Sequence, residues 1–336
     1  MKRWLLTAIS FAAVIGVSVY AVRSGAPQGI NLAIPPLAHL LAFSAFAIEV
    51  ITRSVKLTSS ALAVGTHMTF GTAVRTSLGG DFAASITPAR AGAEPARYLI
   101  LAQSGMAASD ALVVLYLELF LEMISIATVA FLISMIFDAS GKAFVTMVSV
   151  VGIYASFVLG VGLLLFLLSR ANYGSAPPPW AQRLRIHGKR WELVQRWAER
   201  IKVTVAAFRE MHYGWAAVAL LTSIAHVAVR FTILPMLVLA MTDVPVPLAP
   251  LVVWPLGIIY GAGLLPAPGG GGAVELAFRA ALGGTLPPAV FGAALVWWRF
   301  YTFYIYIAVG ALVAGNTALR AVREAQETEE EIERNP

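Results

Sequence analysis

The chain has no cysteine, and charged residues make up only 12% of its 336 positions against 59% hydrophobic. Without cysteine there can be no disulfide and no thiolate metal site. A soluble domain carries about 25% charged residues, so a soluble enzyme is excluded. The GxxxxGK[ST] phosphate loop and the HExxH zinc pair are also missing. ATP hydrolysis by this chain is therefore not expected, nor is a catalytic residue, a cofactor or a metal. The net charge of +6 is not a nucleic-acid footprint, because the basic residues fall between long apolar runs. There they read as topology signals.

Those runs are long enough to matter, since a hydrocarbon core of about 30 Å needs about 20 apolar residues. Six segments read as full spans: 4–22, 34–51, 110–136, 143–168, 213–241 and 289–315. The first follows Lys2 and Arg3, and its apolar run is longer than a signal-peptide core. Pro27 comes directly after the small-x-small site Ser24–Ala26, so an uncleaved span is expected. The segment 169–212 carries nine basic and three acidic residues. Lys2, Arg3, Arg53, Lys56, Arg320 and Arg323 flank other ends assigned to the same side. These counts place both termini in the cytoplasm, in a multi-pass protein of the bacterial inner (cytoplasmic) membrane.

Two apolar stretches, 54–109 and 242–288, must begin and end on the same side, and both are broken by glycine and proline. The breaks are Gly79-Gly80, Pro88, Gly92 and Pro95 in one, and Pro266, Pro268 and Gly269 to Gly272 in the other. Broken backbone at membrane depth is tolerated only inside protein or beside a wet cavity. Each stretch therefore reads as a re-entrant helical hairpin, with a pair of short spans as the alternative. At an offset of 181 residues, Glu94 falls on Glu275, Glu49 on Arg230 and Glu118 on Arg299. The matched spans run in opposite directions, which describes an inverted repeat. The expected fold is all-α: about six transmembrane helices and two re-entrant hairpins. They form one transmembrane domain, 1–323, with halves at 34–136 and 213–315. Residues 324–336 read as a solvated tail.

Between the halves, residues 177–212 put Trp180, Leu184, Trp191, Val194, Ala198, Ile201, Val205 and Phe208 at helical spacing. Arg183, Arg185, Lys189, Arg190, Arg196 and Arg200 supply the cationic face. A helix lying on the anionic lipids of the inner leaflet is the expectation.

The mid-membrane charges carry the functional argument. Glu118 and Glu122 lie four apart on one helical face. Arg230, with His226 one turn before it, and Arg299 are central in their spans. Each such charge costs roughly 2.5–3.5 kcal/mol on insertion scales. Four together cost on the order of 10–14 kcal/mol, comparable with a whole domain's stability of about 5–15 kcal/mol. A shared interior network is the economical solution, serving either as glue between helices or as a site for polar cargo. Glu49 and Arg53 read as a surface pair at the cytoplasmic end of their span, and His39 and His67 as packed or interfacial side chains. The run Pro266 to Glu275 ends one helix with proline and permits close backbone approach with Gly269, Gly270, Gly271 and Gly272. The N-terminus that follows suits a phosphate or carboxylate. In the first half, Arg90, Glu94 and Arg97 cluster after Pro88, where arginine can grip phosphate and glutamate can hold an amine or a proton.

With Thr87 to Arg97, Glu118 with Glu122, Pro266 to Glu275, and Arg299 with Tyr304 in this order, the chain resembles the flippase-like family that includes the transmembrane half of lysylphosphatidylglycerol synthases. The resemblance runs from about residue 30 to 315. It implies a membrane protein that moves, or helps move, a polar-headed lipid of phospholipid, glycolipid or hopanoid type between leaflets. It departs from the family at Leu119, where arginine often follows the glutamate, and no soluble aminoacyl-transferase domain follows residue 323. The lipid-contacting set is then Arg90, Glu94, Arg97, Glu118, Glu122, Arg230, Gly269 to Gly272, Glu275, Arg299 and Tyr304. The partners expected are the membrane lipid itself and anionic inner-leaflet lipids at 177–212, with no nucleic acid and with a homo-oligomer open. The rival readings are an intramembrane lipid-modifying enzyme and a non-transporting subunit of a lipid export machine.

Overall fold

Apolar backbone in lipid has no hydrogen-bond partner but itself, so long apolar runs fold as helices. The computed structural model describes residues 16, 19–24, 31–87, 90–137, 141–170, 177–183, 188–208, 210–262, 270 and 272–317, and no strand occurs among them. In chain order the helices are α1 (Pro36–Ala63), α2 (Phe70–Ile86), α3 (Ala93–Gln103), α4 (Ala108–Ile136), α5 (Gly141–Arg170) and α6 (Pro179–Arg183). Then come α7 (Lys189–Ala207), α8 (Tyr213–Met241), α9 (Leu248–Ala262), α10 (Ala273–Leu282) and α11 (Pro288–Arg299). The π-helical turn Phe300–Tyr304 carries α11 onward to Thr317.

Four of these helices are long and apolar enough to cross a membrane: Ala108–Ile136, Phe144–Arg170, Tyr213–Met241 and Pro288–Thr317. They match the segments expected at 110–136, 143–168, 213–241 and 289–315. The first expected span, 4–22, lies largely outside the described residues, as do Pro88, Pro266, Pro268, Gly269, Gly271 and the tail 324–336. α1 departs from expectation. It continues without a break to Ala63, because Glu49, Arg53 and Lys56 do not meet water but find partners inside the protein.

α1 packs along α8, and the two run antiparallel. The His212 backbone N–H donates to the Ala63 carbonyl at one end (2.8 Å), and Lys56 meets His226 in the middle. At the other end, Ala38 and Ala42 share an apolar cluster with Leu237 and Val238. α2 and α3 pack on each other as a helical pair, and so do α9 and α10. Leu101 and Met106, at the C-terminal end of α3, pack with Leu57 and Ala61 near the end of α1. The opposite end of this pair turns at Thr87–Gly92, where the Thr87 hydroxyl donates to the Ala83 carbonyl (2.8 Å) and accepts from the Gly92 N–H (2.9 Å).

The glycine pair in this stretch corrects an expectation. Gly79 and Gly80 lie inside α2 and do not break it. A Cβ at Gly80 would come within 2.6–3.0 Å of the Arg97 side chain, so the bare backbone is what lets that guanidinium arm lie flat against α2. Gly310 serves the same end on the last helix, where a Cβ would collide with the Leu78 carbonyl. Small residues at such crossings are how membrane helices approach closely.

The amphipathic segment also has contacts within the protein. In α7, Trp191 and Ala198 are buried, and the helix packs on α4 and α5. On this helix the apolar stripe is buried at Trp191 and Ala198 and half-buried at Val194, Ile201 and Val205, while Leu193, Trp197 and Val203, off that stripe, are exposed.

Close helix approach at Gly310 generates a first prediction. Gly310→Val should destabilise the folded protein by about 1–3 kcal/mol, the usual cost of overpacking, read as an earlier midpoint in detergent unfolding. Unchanged stability would show that α2 and the last helix are not held in contact there.

Candidate functional site: a buried ion network and a cavity beside it

α1 builds one side of the site. Glu49, Arg53 and Lys56, spaced i, i+4, i+7, share one face of the helix, and their exposures are 0%, 6% and 0%. Glu49 and Arg53 are therefore not a surface pair. Their side chains come within 3.9 Å, but each has a stronger partner. Arg53 grips Asp81 of α2 with both Nη atoms, at 2.6 and 3.1 Å, and Tyr306 donates its hydroxyl proton to Glu49. Lys56, read from sequence as a topology marker, is wholly enclosed. Its ammonium donates to Glu122 at 2.7 Å and lies 3.1 Å from Glu118.

The other elements close around α1. From α4, Glu118 receives Arg97 of α3 at 2.8 Å. Glu122 is the most connected carboxylate: it accepts from Lys56 and from the Tyr260 hydroxyl of α9 at 3.0 Å, and it lies 2.8 Å from His226 Nε2 of α8. Arg97 also approaches Glu94 one turn earlier, at 3.4 Å. On α8, Arg230 lies 3.8 Å from Glu49 and donates to the Thr302 carbonyl at 3.4 Å. Thr302 belongs to the π turn, whose wider winding disturbs the regular carbonyl ladder. Arg90, left-handed at φ 60 and with a 43% exposed side chain, reaches Asp81 at 3.6 Å.

The five cations Arg53, Lys56, Arg90, Arg97 and Arg230 thereby equal in number the five anions Glu49, Asp81, Glu94, Glu118 and Glu122 with which they pair. Buried charge is tolerable when so paired, and removing one partner costs about 3–5 kcal/mol. A small polar cavity of about 20 Å³, room for roughly one water, lies among Asp81, Ser85, Arg90, Arg230, Thr302 and Tyr306.

The four mid-span charges expected to meet are divided. Glu118, Glu122 and Arg230 fall in this network, whereas Arg299 forms its ion pair with Glu275 of α10 at 2.9 Å. The Arg299 guanidinium also stacks over Phe303 and Tyr304, 4.3 and 5.8 Å from their ring centres. This pair opens on a second cavity of about 290 Å³, walled by Val19, Val22, Leu32, Leu295, Val296 and Tyr304. Gly270 and Gly272, both at positive φ, lead into the first turn of α10, which carries Glu275. His39 is packed, as expected: its ring meets Trp297 edge-on and its Nδ1 lies 3.0 Å from the Tyr301 hydroxyl. His67 is exposed.

Lys56, Asp81, His226 and Tyr260 were not singled out by sequence reasoning as site residues. The face shared by Glu49, Arg53 and Lys56 was a usable signal for the lysine, and so was a lone carboxylate at Asp81 in an otherwise apolar helix. His226 was marked by its place one turn before Arg230 on the same helix, whereas Tyr260 carried no signal, being a single polar side chain on an apolar helix.

Apolar spans that enclose a neutralised set of charges define a multi-pass membrane protein. The family model for the lysylphosphatidylglycerol synthase TM region matches residues 4–310, and the chain belongs to that family. No curated protein matches it.

The network generates a second prediction. Lys56→Met should cost about 3–5 kcal/mol by leaving Glu118 and Glu122 short of a cation, measured by unfolding in detergent micelles. Adding Glu122→Gln should recover part of that loss. Additive losses in the double variant would mean the two side chains do not interact.

Proposed function

We propose that this chain is a lipid flippase-like transporter of the bacterial inner membrane, with both termini cytoplasmic, moving a polar-headed lipid of phospholipid, glycolipid or hopanoid type between leaflets. The observation that carries the reading is the 290 Å³ cavity. Its apolar wall of Val19, Val22, Leu295 and Val296 suits an acyl chain. The Glu275–Arg299 pair at the same cavity offers a charge of each sign to a head group. One Glu275 oxygen is buried with no hydrogen-bond partner among the described residues, and an amine would supply one.

The depth of the helix pairs supports re-entrant hairpins in an inverted repeat. The Thr87–Gly92 turn brings Arg90 beside Arg230 and Thr302, near the middle of their helices. Tyr260 of the second pair reaches Glu122, near the middle of α4. The first pair has its open end near Ala63 and His212. The second has its own near Met241 and Pro288, at the opposite end of α8. Two broken elements entering from opposite sides and meeting at mid-depth is the arrangement through which alternating-access transporters handle cargo.

In this mechanism the acyl chains stay in the bilayer while the head group crosses the polar seam. Arg299, Arg230, Arg90 and Arg97 contact phosphate. Glu275, Glu118, Glu122 and Glu94 contact amine or proton. Gly270, Gly272 and Tyr304 line the way in. Glu118 and Glu122 already hold Arg97 and Lys56, so a head group engages them only by exchanging one ion pair for another. The exposed Leu193, Trp197 and Val203 of α7, with Arg183 and Arg196, rest on the anionic inner leaflet.

Two measurements test this. In proteoliposomes carrying a fluorescent phospholipid, the purified chain should expose inner-leaflet label to an impermeant reductant. Arg299→Gln should slow that about 10- to 100-fold, the equivalent of a charge-assisted hydrogen bond worth about 1.5–3 kcal/mol. New lipid species in place of movement would transfer the chain to the lipid-modifying enzymes. For topology, the cysteine-free background allows His67→Cys and Ser104→Cys to be labelled from the cytoplasm, and Val244→Cys and Gly284→Cys from outside. Labelling of all four from one side would dismantle the inverted arrangement.

A further inference from the structure

His226 is enclosed, 1% exposed, and it sits between two carboxylates from different helices. Its Nε2 lies 2.8 Å from Glu122 and its Nδ1 lies 3.7 Å from Glu49 Oε1. Among the described residues, neither His226 Nδ1 nor Glu49 Oε1 has a hydrogen-bond partner. Neutral imidazole has one N–H and one bare nitrogen. With the proton on Nε2 the ring serves Glu122, and a lone pair faces Glu49. With the proton on Nδ1 the ring faces Glu49 with its N–H, and the Nε2 lone pair lies between the Glu122 carboxylate at 2.8 Å and the Lys56 ammonium at 3.3 Å. Only the doubly protonated ring presents an N–H to both carboxylates.

The remaining surroundings show what that proton does to the charge balance. His226 faces Glu49 at 3.7 Å and Lys56 at 3.3 Å of α1 and Glu122 of α4 at 2.8 Å; behind them, Arg53 and Arg230 flank Glu49 and Glu118 flanks Lys56. Tyr260 of α9 joins through Glu122, and Tyr306 of the last helix through Glu49. With His226 neutral, the cations and anions of the network are equal in number, so protonation leaves one positive charge in excess. Beside it, Arg230 Nε is buried without a hydrogen-bond partner among the described residues, and Arg230 borders the small polar cavity with Arg90. Glu122, whose side chain is 17% exposed, offers the proton a way in from water.

We infer that His226 is a proton-binding site, and that the proton it takes up is carried with an anionic phosphate group received between Arg230 and Arg90. This rests on the transport reading and deepens it, naming the coupling ion as a proton and the cargo's charge at that point as negative. The water-sized cavity enlarges for the phosphate by displacement of the partly exposed Arg90 side chain. Sodium is the poorer candidate, because Glu49 Oε1 already faces Arg53 at 3.9 Å and Arg230 at 3.8 Å. A bare metal cation would meet both guanidiniums, whereas the proton rides on a ring that Glu122 also holds.

The test is nitrogen NMR of the full chain, labelled at histidine, in phosphatidylcholine nanodiscs, with the His226 resonance assigned by its absence in His226→Gln. Spectra taken across the histidine range of about pH 8 to 5 read the fraction of His226 present as the doubly protonated ring. Adding phosphatidylglycerol at fixed pH should raise the protonated fraction severalfold, and Glu49→Gln should lower it severalfold. A single neutral tautomer throughout, indifferent to both changes, overturns the inference. Inorganic phosphate alone producing the whole rise would overturn the lipid as source of the anion. The lipid-movement assay fails separately. Protonation without movement removes the transport reading and keeps the site. Movement at one rate across this pH range, unchanged in His226→Gln, removes the coupling and keeps transport.

Discussion

The constraint on which the structure depends is that an ionised side chain inside a membrane protein must find its opposite charge before anything else. Water is absent and the dielectric is low, so each unpaired charge would cost several kcal/mol. The fold answers by drawing Glu49, Arg53 and Lys56 on α1, Asp81 on α2, Arg97 on α3, Glu118 and Glu122 on α4, and Arg230 on α8 into one connected set. Because the partners come from different helices, pairing also fixes how those helices sit. The antiparallel contact of α1 with α8 is held by apolar surface at its ends and by this set in its middle.

The arrangement also explains where a glycine replaces a side chain and where the backbone departs from regular helix. Gly80 lies where Arg97 must run flat against α2. Arg90 occupies a left-handed turn beside the polar cavity, and the π turn after Arg299 is where Thr302 offers Arg230 a carbonyl. Each of these features sits next to a charged group. The Glu275–Arg299 pair differs from the central set in opening on an apolar-walled cavity. Inside one protein there is thus a charge-balanced network at the centre and an apolar-walled recess carrying a single ion pair beside it.

The reading from sequence succeeded where a single segment decides the outcome. The expected spans 110–136, 143–168, 213–241 and 289–315 correspond to helices because length and apolarity are properties of one stretch of chain. It went astray where partners decide. Lys56 and Arg53 were assigned to the membrane surface because a charge at the end of an apolar run meets water by default. The default fails when Glu118, Glu122 and Asp81 wait on other helices. Gly79-Gly80 was taken as a break for the same reason: glycine permits a turn, and it equally permits a neighbour to approach.

Composition and periodicity by themselves therefore determined that this chain lives in a bilayer as a set of helices, and that its interior holds ionisable groups in numbers lipid would not accept. Both follow from transfer free energies that each segment carries alone. Which carboxylate meets which cation, that α1 runs on to Ala63, that Arg299 pairs with Glu275 and that His226 stands between Glu49 and Glu122 were decided only by the tertiary structure. Electrostatic pairing acts over a few ångströms in space, and residues more than a hundred positions apart become neighbours only once the helices have packed.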